Sequence, residues 1–133
     1  MSKPISYASA VILVKNSQIL IGQRPEGVVM PGFWEFPGGK LEEGETPEQA
    51  AFRETREEVG VEVLHLEPLY FISEDRGDYH VIVYVYICDK WENEPKSMEG
   101  QKIEWVEFEN LENYNLLPGN IPILPVLGKK IRI

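Results

Sequence analysis

Basic residues are scarce in this chain: 13 Lys and Arg stand against 22 Asp and Glu, a formal charge of -9. Charge-driven docking onto DNA, RNA or an anionic bilayer needs a basic face, so nucleic-acid polymers and membrane surfaces are excluded as partners. Cysteine is nearly absent too. Cys88 alone cannot form an internal disulfide, which argues against a secreted, bridge-stapled scaffold and leaves a small buried hydrophobe. No apolar run approaches the roughly 20 residues that cross a bilayer. Residues 5–14 have the length of a signal-peptide core, but Ala8 and Ala10 lie inside that run, and Lys15, Asn16 and Ser17 then make a turn, which is how a strand ends. Linkers, repeats and low-complexity tracts are missing. The expectation is one cytoplasmic domain spanning 1–133. Its acidity sets a problem for any substrate that is itself an anion.

What is present is strongly patterned. Residues 7–14 and 18–23 are β-branched or aliphatic runs joined at Asn16 and Ser17, a hairpin signal. Residues 25–32 predict a loop, Trp34, Glu35 and Phe36 a short extended piece, and Pro37, Gly38 and Gly39 a stop. Over 46–59 the spacing turns helical: Thr46 and Gln49 stand at capping-box distance, Pro47 suits a first turn, and Gly60 ends the run. Residues 63–72 and 79–88 predict two long central strands and 102–108 another. Residues 111–114 predict a helical turn, and 121–127 a C-terminal helix started by proline. The order predicts an α/β fold with a mixed sheet between helices.

From Glu42 to Glu62 there are eight Glu and only two basic residues, Arg53 and Arg56. At about 100° per residue, Glu54, Glu57 and Glu58 share one arc of a helix, while Phe52, Thr55 and Val59 face the other way. Like charges at that spacing repel. Arg53, four residues before Glu57, answers part of the charge. A hard divalent cation would answer the rest, because Mg²⁺ takes a few carboxylate oxygens together with water and phosphate oxygens. A solvated acidic face would look the same in isolation. The approach to the helix favours the cation: Pro37, Gly38, Gly39, Lys40 and then Gly44 run straight into the cap, and glycine lets a backbone come close to a ligand.

The segment GGKLEEGETPEQAAFRETREEVGV resembles the Nudix box, GX5EX7REUXEEXGU with U aliphatic: Gly39, Glu45, Arg53, Glu54, Glu57, Glu58, Gly60 and Val61 stand at the required places. Thr55 departs from the pattern in an aliphatic slot, which threonine can fill by bonding its hydroxyl back to a helix carbonyl. WEFPGGK, EGQKIEW and PGNIP are similar in place and order to segments of the MutT-type branch. The resemblance implies a Nudix-type α/β/α sandwich with a central mixed β-sheet. It implies a Mg²⁺-dependent hydrolase, with Mn²⁺ as a substitute ion, that cuts a nucleoside triphosphate to the monophosphate and pyrophosphate. On the same ground the Gly38 carbonyl, Glu54, Glu57, Glu58 and Glu104 would form the metal shell. Arg53 would orient carboxylates, Glu45 would brace the loop, and Gly39 and Gly60 would be structural. The general base stays open among Glu104, Glu54 and Glu58. Arg24 and Lys40 border the segment as phosphate partners.

For the base, Phe36 and Asn120 match positions that sit at the purine in MutT-type enzymes, and an Asn amide both donates to and accepts from an oxidised guanine. Tyr79 stands where the MutT pattern has Arg, exchanging one contact for a phenol. The leading expectation is sanitation of oxidised purine triphosphates such as 8-oxo-dGTP. The alternative is a pyrimidine (CTP-like) or broad nucleotide pyrophosphohydrolase. A nucleotide-sensing domain without turnover is a further reading, against which the intact Glu54, Glu57 and Glu58 argue. Monomer and homodimer both stay open. The acidity then fits an anionic substrate, because a bound cation reverses the local sign.

Overall fold

Asn16 and Ser17 both take positive φ, 52° and 64°, the geometry that closes a two-residue hairpin without splaying its strands. They join β1 (Ile5–Lys15) to β2 (Gln18–Gln23) in the computed structural model, which describes residues 3–131. The remaining strands are β3 (Trp34–Glu35), β4 (Gly38–Lys40), β5 (Glu62–Val63), β6 (Glu67–Asp75), β7 (His80–Cys88), β8 (Trp91–Glu92) and β9 (Ile103–Glu107); α1 is Pro47–Val59 and α2 Ile123–Ile131. β1 pairs in parallel with β7 from Ile5↔His80 to Leu13↔Cys88, whereas the other pairings are antiparallel, so the sheet is mixed. Its order is β3-β2-β1-β7-β6, with β4 on β1 and β9 on β2. One edge of β1 is therefore shared: β4 takes Ala8–Ala10 and β2 takes Val14 and Lys15. The sheet forks there, and the box enters at the fork.

Side-chain alternation builds two cores. From β7, Val83, Val85 and Ile87 pack with Ile123 and Leu127 of α2, while Tyr84, Tyr86 and Cys88 pack with Ala51 and Val59 of α1. Helix, sheet and helix make three layers, as the α/β/α reading requires. Cys88 is buried, and burial raises its thiol pKa.

The structure differs from the strand expectations in three places. Residues 63–72 are not one strand. The chain leaves β5 after Val63, Leu64 N–H donates to the Lys90 carbonyl at 3.0 Å, and β5 pairs with β8 in a separate ribbon. β6 is not central but at the sheet edge, with Phe71 62% exposed; Pro68 lacks a donor and a bulge follows it, both of which suit an edge. Pro37, Gly38 and Gly39 do not stop the chain, since Gly38 and Gly39 are strand residues opposite Ala10 and Ser9.

Candidate active site

α1 starts where its cap dictates. The Thr46 hydroxyl accepts the Gln49 N–H at 3.2 Å, and the Gln49 side-chain oxygen accepts the Thr46 N–H at 2.9 Å. Such a cap contributes about 1 kcal/mol. Gly60 ends the helix in the left-handed region at φ 71°. Ala50, Ala51, Thr55 and Val59 form the buried face. Thr55 donates to the Ala51 and Phe52 carbonyls at 2.9 and 3.1 Å, so its hydroxyl is satisfied inside the aliphatic slot.

On the opposite face Arg53 is the hub. Its guanidinium holds Glu45 bidentately at 2.7 and 2.9 Å, and also donates to Glu54 at 2.8 Å, Glu57 at 3.2 Å and the Lys40 carbonyl at 3.0 Å. The Arg53 bonds and the Glu42 N–H lower the Glu45 pKa to about 2. Glu45 in turn accepts that N–H at 2.9 Å, tying the loop before the helix to the helix itself.

Glu54 and Glu58 project toward β4. The Gly38 N–H donates to Glu58 Oε2 at 2.9 Å. A Cβ on Gly39 would lie 2.6 Å from the Glu54 carboxyl carbon, and one on Gly38 2.2 Å from the Ser9 carbonyl oxygen. The two glycines are therefore demanded by what presses on them. Burial, then the adjacent Glu54 carboxylate, pushes the Glu58 pKa up to about 9. A carboxyl buried in this way beside another acid keeps its own proton unless a cation offsets the charge.

A cavity of about 90 Å³ opens beside Glu58, and Glu35, Pro37, Glu99 and Gln101 are among its other walls. That is room for an ion and its water, well below the roughly 300 Å³ of a small-molecule pocket. Among the described residues no three His, Cys, Asp or Glu side chains converge as a ready metal cage. Mg²⁺ does not need one, because it binds through one or two carboxylates plus water and substrate phosphates. The Glu54–Glu58 pair fits that demand. Arg24 pairs with Glu35 at 3.0 Å and donates to the Val29 carbonyl at 2.6 Å, beside the cavity. Burial raises the Glu35 pKa, partly offset by Arg24.

Glu104 is not brought to this pair. Ile103 and Trp105 face the α1 side of β9, so Glu104 points with Val106 to the other side and accepts the Tyr114 hydroxyl at 2.6 Å. Lys40 is exposed at the end of β4. Phe36 is 3% exposed, in the α2-side core. Asn120 closes a short 3-10 turn, Pro118–Asn120, which lies against the β6–β7 hairpin: a Cβ on Gly119 would be 3.4 Å from a Glu74 carboxylate oxygen and 3.5 Å from the Arg76 guanidinium. Tyr79 is 41% exposed in that same hairpin.

The family model described as a NUDIX domain matches residues 4–127. The chain belongs to the Nudix family. It is 36% identical over 127 residues to an 8-oxo-dGTP diphosphatase of Escherichia coli K12, covering 96% of this chain and 98% of that protein. It is 34% identical over 117 residues to a CTP pyrophosphohydrolase of the same organism, covering 86% and 85%. In three dimensions it matches a solved MutT from work on the Aliivibrio salmonicida and Vibrio cholerae proteins, with a TM-score of 0.83, 32% identity, and 94% and 98% of the two chains covered. The chain is thus a MutT-like Nudix hydrolase acting on nucleoside triphosphates.

Within this Nudix site, sequence reasoning missed Glu35 and Glu99. Glu35 adjoins Phe36 in the segment leading to the box, and Glu99 opens EGQKIEW, the segment that also holds Glu104. Choosing between the two acids needs the path of the 96–101 loop, which is set by contacts with the far end of α1.

Proposed function

We propose that this Nudix hydrolase is a Mg²⁺-dependent pyrophosphohydrolase that converts an oxidised purine nucleoside triphosphate, 8-oxo-dGTP above all, to the monophosphate and pyrophosphate. The observation that carries the reading is the Glu54–Glu58 pair, pressed against Gly38 and Gly39, with Glu58 buried beside Glu54 where a cation would offset the charge of both. Bound there, Mg²⁺ would neutralise phosphate charge and lower the pKa of the attacking water.

The chain's own groups divide the remaining work. Glu54 and Glu58 would hold the ion, with Glu57 and the Gly38 carbonyl as further oxygen donors. Arg53 keeps Glu54 and Glu57 aimed and neutralises Glu45, so the cation meets carboxylates already placed. Glu99, on the loop wall of the cavity, takes the proton of the attacking water; Glu104 faces elsewhere. Arg24 and Lys40 reach the phosphates. Asn120 and Tyr79 read the base.

The relative that is an 8-oxo-dGTP diphosphatase spans nearly the whole chain, which supports the purine assignment. The CTP pyrophosphohydrolase relative and Tyr79 favour a second reading, a pyrimidine or broad substrate range. A panel of triphosphates with Mg²⁺ separates them. Turnover of 8-oxo-dGTP no better than that of dGTP or CTP sinks the first reading.

A further inference from the structure

The last carbonyls of a helix need donors from outside it, and at the end of α1 they come from the 96–101 loop. Lys96 N–H donates to the Val59 carbonyl at 2.9 Å, and Met98 N–H to the Glu58 carbonyl at 3.0 Å. The Glu58 carbonyl also accepts Nε2 of Gln101 at 2.9 Å. The other end of that carboxamide works inside the loop. Gln101 Oε1 accepts the Ser97 hydroxyl at 2.8 Å and the Glu99 N–H at 3.1 Å, and the Ser97 hydroxyl also lies against the Gln101 backbone carbonyl. One side chain thereby ties the backbone of Glu58 to the backbone of Glu99. Both of those residues, and Gln101 itself, line the same cavity.

The chemistry of this tie is specific. A carboxamide offers a donor and an acceptor together, a carboxylate offers only acceptors and an ammonium only donors. We propose that Gln101 is a positioning residue for hydrolysis, its carboxamide holding the Glu99 loop on the last turn of α1 and so setting the spacing of the Glu58 and Glu99 carboxylates. The proposal rests on the reading of Glu99 as a working cavity group. A bare helix cap needs only the bonds to the Val59 and Glu58 carbonyls, not the one that Gln101 accepts from the Glu99 N–H.

A double-mutant cycle tests this, using 8-oxo-dGTP or dGTP with Mg²⁺ on wild type, Glu99→Gln, Gln101→Ala and the double variant, with thermal unfolding as the fold control. Gln101→Ala is expected to lower kcat about tenfold to a hundredfold at nearly constant KM, since small misplacements of a working group cost rates of that order. In the Glu99→Gln background the same change is expected to cost little more. In the metal-free protein the Lys96 and Met98 amides should exchange with deuterium faster once Gln101 is truncated. Gln101→Glu keeps an acceptor oxygen for the Ser97 hydroxyl and the Glu99 N–H but cannot donate to the Glu58 carbonyl, so it should behave as Gln101→Ala does, and it carries the cycle if the alanine variant does not fold. Equal losses in both backgrounds, or unchanged kcat in the single variant, overturn the proposal. Wild-type turnover by Glu99→Gln overturns the placement of Glu99 on which it stands.

Discussion

The two ends of the candidate site are built in opposite ways. At the box end, one guanidinium hydrogen-bonds three carboxylates and a carbonyl, and the two glycines leave no room for a side chain. At the other end, Asn120 and Tyr79 sit on a short turn and an exposed hairpin tip, where the neighbouring ion pair is Arg76–Glu74 at 3.2 Å on the surface. Surface pairs of that kind contribute about 0–1 kcal/mol. A dense network fixes positions and tolerates little change, whereas an exposed turn and hairpin can exchange side chains without disturbing a core. On the proposed function, the first end would cut the phosphoanhydride and the second would choose the base. Changes at the first end should remove turnover for every triphosphate, and changes at the second should redistribute it.

The largest effect is expected for Glu58→Gln. The amide still offers an oxygen to the Gly38 N–H but no charge to a cation, so kcat for all triphosphates should fall by about two to four orders of magnitude. The fold should survive, because a glutamine resembles the protonated acid. A loss confined to one base would contradict the division of labour.

The same carboxyl group predicts a pH dependence. Glu58 holds its proton up to about 9 in the folded, cation-free protein, because it is buried and then because Glu54 lies beside it, while an ordinary Glu releases it near 4.5. The folded state therefore binds more protons than the unfolded chain across that window, and stability falls as pH rises from about 4.5 to about 9. Glu45 runs the other way. Its pKa of about 2, set by Arg53, gives stability that is present above the ordinary value of 4.5 and lost as pH falls toward 2. Melting temperature against pH, with and without Mg²⁺, reads both slopes. Mg²⁺ or Glu58→Gln should flatten the alkaline decline, and a decline of equal steepness in the variant would place its origin elsewhere.

Arg53→Lys comes next. One ammonium cannot reproduce a bidentate hold on Glu45 together with bonds to Glu54 and Glu57, so the substitution is not conservative here. A loss of about tenfold to a hundredfold in turnover is expected, as for other groups that orient metal ligands. Wild-type kcat in the lysine variant would reduce the hub to a surface pair.

Much of the box end could be read from residues alone because its determinants are local. The capping box of Thr46 and Gln49, the Gly60 terminus and the arc of Glu54, Glu57 and Glu58 depend on neighbours within a few positions, and Thr55 fills its slot by bonding within its own helix. What escaped depends on distant chain. Gly38 and Gly39 look like a turn until β1 and Glu54 are seen pressing on them. The break at Leu64 follows from a partner at Lys90. Glu99 and Glu104 are equally acidic and five positions apart, and the loop's attachment to the end of α1 puts Glu99 at the cavity, while strand alternation turns Glu104 to the other face.

At the base end, Asn120→Ala should shift the ratio of kcat/KM for 8-oxo-dGTP over dGTP by roughly tenfold, the order expected of one hydrogen-bonding contact that distinguishes two substrates. Its Mg²⁺ requirement should match wild type. A uniform loss across the triphosphate panel would mean that the turn at Asn120 supports the box, and the two ends would no longer be separable.

The smallest effect belongs to the hidden side of the box helix. Thr55→Val removes a hydroxyl bonded only to the Ala51 and Phe52 carbonyls, 2.9 and 3.1 Å away in the same helix, and leaves a side chain of the aliphatic kind that the family pattern prefers there. The carbonyls keep their place in the helix, so the change in stability should stay within about 1 kcal/mol. Turnover should not change, because Thr55 faces the core and the carboxylates face β4. Denaturant unfolding and the triphosphate panel measured side by side would check this. A fall in kcat without a fall in stability would show that the buried face of α1 helps to aim Glu54 and Glu58, making the catalytic end larger than its hydrogen bonds suggest.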